Sequence, residues 1–313
     1  MTAASSLLLL GLGVIVLMTA LTLIGEWLRS REPAGTVNPG VETYMTRVHS
    51  WWAMVVLLSL ALLVGLPGVL ILFALAAFAA LREFMTYASK ARADHWALVL
   101  AFYVVLPAQF IFVGMGWDLL FSVFVPVYAF LLLPVISALR GDADRFLVRV
   151  AETQWGLMIS VFCASHIPAL MTLEIPGYAG RGALLIAFLV VVVQAADLLD
   201  FYFGRRIGRT RIAPGLSPRT WEGGLVGVGS AALIGMLLSW ITPFPPLVAG
   251  AMAAAAALAG LAGTIVLIAI KRDKGVHDWS HLIPGQGGIL DQLAGVLFAA
   301  PVLYHLTRLV WLP

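Results

Sequence analysis

Runs of apolar residues long enough to cross a lipid bilayer alternate along the chain with short polar connections. A bilayer core takes about 20 apolar residues per α-helix. Ten segments meet or approach that length: 6–28, 50–65, 67–81, 96–114, 118–139, 154–172, 182–203, 223–241, 246–270 and 289–312. The second and third are short, and only Gly65, Leu66, Pro67 and Gly68 part them, so they form either a hairpin of two spans or one broken re-entrant element. Lipid offers no hydrogen-bond partners, so each span must satisfy its own backbone. The pattern predicts an all-α fold, a polytopic transmembrane helical bundle of about 10 spans (8–10).

Charge divides the connections into two kinds. Those after odd-numbered spans carry Arg29, Arg31 and Arg47; Arg82, Lys90 and Arg92; Arg140, Arg145 and Arg149; Arg205, Arg206, Arg209, Arg211 and Arg219; and Lys271, Arg272 and Lys274. That is 17 of the 19 basic residues, with only Arg181 and Arg308 elsewhere. The stretches 65–68, 114–117, 171–180 and 242–246, after the even-numbered spans, have no Lys or Arg. By the positive-inside rule the basic connections are cytoplasmic and both termini external. A miscounted span would have scrambled this alternation. The first apolar run has no basic residue before it and exceeds the apolar core of a cleaved leader, so it is expected to remain as a span.

Composition closes off other classes. The 313 residues are 61% hydrophobic and 11% charged, against roughly 45–50% and about 25% in soluble domains. No hydrophilic stretch is long enough for a separate extramembrane unit, so residues 1–313 are expected to form a single membrane domain. The lone cysteine, Cys163, excludes intrachain disulfides and thiolate zinc sites. The Ala-rich stretch 249–263 reads as close helix packing. Trp279 and the other tryptophans suit interfacial belts.

Ionisable groups within spans cost roughly 2.5–3.5 kcal/mol or more and mark function by default. Asp197 and Asp200 sit near the end of the seventh span, three residues apart and on one helix face, and Asp291 opens the tenth. The plainest structural role for Asp200 is a helix-end pair with a nearby arginine such as Arg205. The densest polar stretch is 271–291. Lys271, Arg272 and Lys274 supply positive charge there. Gly285, Gly287 and Gly288 allow backbone N–H groups close to phosphate oxygens, the last two ahead of a helix N-terminus. Asp278 and Asp291 suit Mg2+, which binds through one or two carboxylates plus substrate phosphates. His277 and His281 have the i,i+4 spacing of a zinc pair, but no third ligand is evident and Pro284 limits the helix.

These residues resemble the signature of the phosphatidate cytidylyltransferases (CDP-diacylglycerol synthases). Lys271, Arg272, Asp278, Ser280, Ile283, Pro284, Gly287, Gly288, Ile289 and Asp291 stand in register with it. A second family block is matched by Ala196, Asp197, Gly204, Arg205, Gly208, Arg209, Ala213, Pro214, Ser217, Pro218, Thr220, Trp221, Glu222 and Gly223, with Tyr202 offset by one. The resemblance is sharp over residues 194–295. Departures are Ile268 for a Ser, His277 for a Lys, Gln286 for a His, Gln292 for an Arg and Ala294 for an Asp, and the turn before Thr220 is one residue short. The chain is similar to a divergent member.

The resemblance implies transfer of CMP from CTP to phosphatidate, giving CDP-diacylglycerol and pyrophosphate. It implies catalytic roles for Asp197, Lys271, Arg272, Asp278 and Asp291, with Asp197, Asp278 and Asp291 holding Mg2+, alone or with a second monovalent or divalent cation. Arg205, Arg209, Ser217, Thr220, Glu222, Gln286, Gly287 and Gly288 would contact substrates. The expected partners are CTP, phosphatidate or a related lipid phosphate and membrane lipids, with no nucleic acid and with room for a homodimer. The expected location is a bacterial inner (cytoplasmic) membrane with the site facing the cytoplasm, N-terminal spans in 1–180 and catalytic spans and loops in 181–313. The alternatives are a paralogue acting on another lipid phosphate or binding lipid without catalysis, and a transporter; transporter sites lie near the midplane.

Overall fold

The computed structural model describes residues 3–31 and 38–311. The described residues form ten helices: α1 Ala3–Ser30, α2 Pro39–Val64, α3 Leu66–Tyr87, α4 Arg92–Gly114, α5 Asp118–Ala138, α6 Phe146–Ala169, α7 Gly182–Ile207, α8 Trp221–Leu237, α9 Pro246–Asp273 and α10 Ile289–Trp311. Nine are long and apolar enough to cross a membrane, and α8, with 17 residues, is shorter. No strand occurs among the described residues; the extended pairing is two isolated bridges in loops. Leu312, the expected end of the last span, lies outside the described residues.

Two elements differ instructively from their hydropathy. The short second and third segments are two full helices, α2 with 26 residues and α3 with 22. Asn38 caps α2, its side chain accepting from Gly40 N at 2.9 Å, and the polar turns that follow carry the helix beyond the apolar run. Gly65 makes the sharp turn between them at φ 85°, in the left-handed region glycine enters without penalty. α3 then continues through Arg82 and Glu83 to Tyr87. Helices α4, α5 and α6 each contain a π-helical stretch (101–105, 124–129 and 158–163), with a proline inside or near it.

The last four helices pack chiefly on one another, α7 against α8, α8 against α9 and α9 against α10. Small residues set the spacing. A Cβ at Gly227 would lie 2.7 Å from Ala196 O, and one at Gly260 would lie 3.1 Å from Gly295 O. These approaches let backbones meet directly, which is how helices associate where lipid is as apolar as leucine. By contrast α1 is mostly exposed, with Leu8, Leu12, Val16 and Leu23 open along its length. A surface of that kind is solvated by acyl chains, and the protein is an integral membrane protein.

Candidate active site at the ends of the last four helices

The first charged cluster is built by the loop from α7 to α8. Its ends pair as a short hairpin, with Ile212 N donating to Arg219 O at 3.0 Å and Trp221 N to Thr210 O at 2.9 Å. Thr220 caps α8, its hydroxyl accepting from Gly223 N at 3.2 Å, while Glu222 accepts from Thr210 N at 3.1 and 3.2 Å. The buried Ser217 hydroxyl accepts from Arg219 N at 3.2 Å. This turn aims the Arg219 guanidinium at α7. Nη2 donates to Asp197 Oδ1 at 2.5 Å and Nη1 to Asp200 Oδ2.

The i,i+3 spacing of Asp197 and Asp200 thus brings both carboxylates to one guanidinium. Burial works against the charge of Arg219, and the two carboxylates outweigh it, holding its pKa above the ordinary value. Asp200 is buried, its side chain 4% exposed against 45% for Asp197. Among the described residues its Oδ1 has no hydrogen-bond partner, and it lines with Asp197 a cavity of about 20 Å³ between α7, α8, α9 and α10. The expected partner of Asp200, Arg205, instead stacks its guanidinium over Phe201 at 4.4 Å. Arg219 wins because its hairpin folds back over α7, whereas Arg205 lies five residues on and points outward.

The second cluster surrounds Asp291. Lys271 Nζ donates to Asp291 Oδ1 at 2.7 Å, and the backbone N–H groups of Trp279 and Gly288 both reach Oδ2 at 2.9 Å. Asp291 therefore clamps the loop 274–288 at both ends and caps its own helix. Next to it stands Glu83 of α3, buried and accepting from Ser280 Oγ at 2.6 Å, Ile289 N at 3.0 Å and Leu290 N at 2.9 Å. The N-terminus of α10, a natural anion site, thus already holds two carboxylates. Gly288 is required here: a Cβ would lie 2.5 Å from Glu83 Oε2.

Helix α2 holds the same loop from the other side. Arg47 Nε donates to Gly285 O at 2.9 Å, Ser50 Oγ to Pro284 O at 2.9 Å, and Trp51 Nε1 to Gln286 Oε1 at 3.1 Å. Gln286 Nε2 returns a bond to Arg47 O at 3.2 Å. Arg272 joins the two loops by donating to Gly215 O, and Lys274 pairs with Glu152 of α6 at 2.5 Å.

The sequence-derived residues therefore fall into groups. Asp197 gathers with Asp200 and Arg219; Lys271, Gly288 and Asp291 gather at the start of α10. Asp278 meets His277 at 3.2 Å on the exposed side of the loop, and the Arg209 side chain is exposed. Among the described residues no three His, Cys, Asp or Glu side chains stand together as a ligand group. Trp279 does not sit in an interfacial belt. It is 2% exposed and stacks on Phe84 at 5.4 Å, because the Asp291 bond to its backbone draws it inward. Arg219 and Glu83 were missed. Arg219 is the residue between Ser217-Pro218 and Thr220 in the shortened turn, and Glu83 follows the apolar run of the third span by two residues, where it reads as a loop charge.

The bundle defines an integral membrane protein whose acidic and basic side chains pair in two clusters at one end of its last four helices. The profile of the cytidylyltransferase family matches residues 45–310, and the chain belongs to that family. It is 34% identical over 297 residues to the uncharacterized protein YnbB of Escherichia coli (strain K12), covering 93% of this chain and 95% of that one. It is 34% identical over 131 residues to the phosphatidate cytidylyltransferase of Synechocystis sp., covering 41% of this chain and 45% of that protein. The phosphatidate cytidylyltransferase of Helicobacter pylori is 32% identical over 194 residues, 58% of this chain and 71% of that protein.

Proposed function

We propose that the protein transfers CMP from CTP to a membrane lipid phosphate, with phosphatidate as the substrate, releasing pyrophosphate and forming CDP-diacylglycerol. The observation that carries this reading is the family match over 45–310, which includes both charged clusters. We place the reaction on the basic face, which the positive-inside rule puts on the cytoplasmic side of a bacterial inner membrane.

A phosphate oxygen of the lipid attacks the α-phosphorus of CTP, and the bond from that phosphorus to the bridging oxygen breaks as pyrophosphate leaves. The nucleophile is already ionised, because a phosphate monoester has a second pKa near 6. The task of the chain is to bring two anions together in line. Lys271 and Arg272, with Arg205 and Arg209, bind phosphate oxygens. Ser217, Thr220, Glu222, Gln286, Gly287 and Gly288 shape the pocket walls, the last four residues through the loop ends they fix.

A divalent cation fits this chain as a partner of one or two carboxylates plus phosphate oxygens. The buried Oδ1 of Asp200, without a partner among the described residues, supports that fit beside Asp197, whereas Asp278 and Asp291 do not join this pair as a third ligand. When bound, Mg2+ neutralises charge on the triphosphate. Arg219 orients Asp197 and Asp200 for that role, and Lys271 orients Asp291.

Purified protein or membranes given labelled CTP, Mg2+ and phosphatidate should yield lipid-linked CMP, and Asp291→Asn should remove most of it. Failure with every lipid phosphate offered, together with an Asp291→Asn variant identical to the parent, overturns the reading. A panel of lipid phosphates tests whether Gln286, held by Trp51 and Arg47, goes with a changed lipid choice.

A further inference from the structure

A second basic site lies apart from both clusters. Lys90, Arg92, His95 and Trp96, where α3 turns into α4, face Arg140 at the end of α5 across an open pocket of about 540 Å³. None of these residues lines the cavity at Asp197 and Asp200.

What distinguishes the pocket from ordinary basic loops is that no carboxylate lines it, the nearest acids in sequence being turned to other partners. Asp94, two residues from Arg92, is 4% exposed; its Oδ2 pairs with Arg149 Nε at 2.8 Å and accepts from Ala91 N at 2.8 Å. Asp142, two residues from Arg140, also leans toward Arg149, at 3.8 Å. Glu152 is taken by Lys274 and by Ser89 N. Among the described residues Lys90, Arg92 and Arg140 have no carboxylate partner; Lys90 donates only to Met85 O, at 2.7 Å. Arg149, buried itself, takes Asp94 fully and Asp142 loosely, Asp144 stays exposed on the same loop, and the pocket is lined by three cations and no carboxylate.

The rim is amphipathic. Trp96 is 50% exposed with His95 edge-on to it at 5.5 Å, and Leu98 adds a second apolar side chain to the lining. A soluble anion has no use for such a rim. A phospholipid does: its head group meets the cations, the indole sits at the head-group level, and its chains leave past Trp96 and Leu98. We infer that the pocket formed by Lys90, Arg92, Trp96 and Arg140 binds the phosphate head group of an anionic membrane phospholipid. This site is independent of the proposed reaction, and its occupant need not be a substrate.

Native mass spectrometry of the detergent-solubilised protein, with phosphatidylglycerol or phosphatidylcholine added, tests this. The parent should retain phosphatidylglycerol in preference to phosphatidylcholine. Arg92→Gln/Arg140→Gln should lower its retention roughly thirtyfold, at about 1 kcal/mol for each of the two cations near an anionic surface. Arg92→Lys/Arg140→Lys should keep most of it, which shows, when the melting temperatures agree, that loss of charge rather than misfolding is responsible. Arg82→Gln/Arg145→Gln removes the same charge from the same face and should retain the lipid. Equal loss in both Gln pairs means general surface charge and overturns the site, as does no loss in either. Displacement by millimolar inorganic phosphate overturns the lipid assignment in favour of a free anion.

Discussion

Glu83 carries a sharp test of how the site is assembled. It is a buried carboxylate with no cationic partner among the described residues, held by one hydroxyl and two backbone N–H groups at the start of α10. Bonds to a charged acceptor contribute about 1.5–3 kcal/mol each, and a carboxylate at a helix N-terminus adds up to ~2 kcal/mol in partly buried geometry. Glu83→Gln keeps one acceptor oxygen but turns an NH2 toward a donor that needs an acceptor. The expected loss is about 2–4 kcal/mol, below the sum of the separate terms because the amide keeps part of the network. At roughly 2 °C per kcal/mol for a chain of this length, thermal unfolding in detergent should fall by roughly 4–8 °C. Ser280→Ala removes one of the three bonds and should cost about 1.5 kcal/mol, the low end of that range. Tryptophan fluorescence reads both transitions, with Trp279 inside the affected loop. Equal melting temperatures for the parent and Glu83→Gln would refute the idea that Glu83 organises this helix end.

Three further outcomes follow from the same contacts. Arg219→Gln strands the buried Asp200 beside Asp197 and should cost about 3–5 kcal/mol, the usual penalty for halving a buried ion pair; a melting temperature unchanged from the parent refutes the pairing. Gly223→Ala places a Cβ 2.6 Å from Asp200 Oδ1 and 2.7 Å from Asp200 O, so α8 must move off α7 at a cost of about 1–3 kcal/mol; unfolding in urea would show an unchanged midpoint if the helices are not in contact there. Gln286→Ala removes the bonds to Trp51 and Arg47 and should cost about 1–3 kcal/mol, with increased proteolysis of the 274–288 loop as the check; protection equal to the parent argues against α2 as its anchor.

Membrane character and the spacing of charged loops are plain in the linear pattern, because hydropathy acts through local composition. The ends of helices are not. α2 begins at Pro39, in turns polar enough to look like a loop, and α3 runs on through Arg82 and Glu83, since both helix ends lie against other protein segments rather than lipid. Asp197 and Asp200 could be placed on one face by arithmetic. Their cation could not, because Arg219 reaches them only after a hairpin closes between Thr210 and Trp221. Trp279 reads as interfacial by residue type, and only the tertiary bond from its backbone to Asp291 explains why it is inside.

The anchoring of the 274–288 loop by α2 and α3 has a consequence for any attempt to transplant it. The motif-bearing third of the chain is not a portable cassette: Glu83, Ser50 and Trp51, contributed from far upstream, are half of its socket. Chimaeras that exchange residues 194–295 with a relative would inherit plugs without matching sockets. Residues at 51 and 286, and at 83 and 280, should therefore change together across relatives, and a chimaera should recover its folding only when both members of each pair come from the same parent.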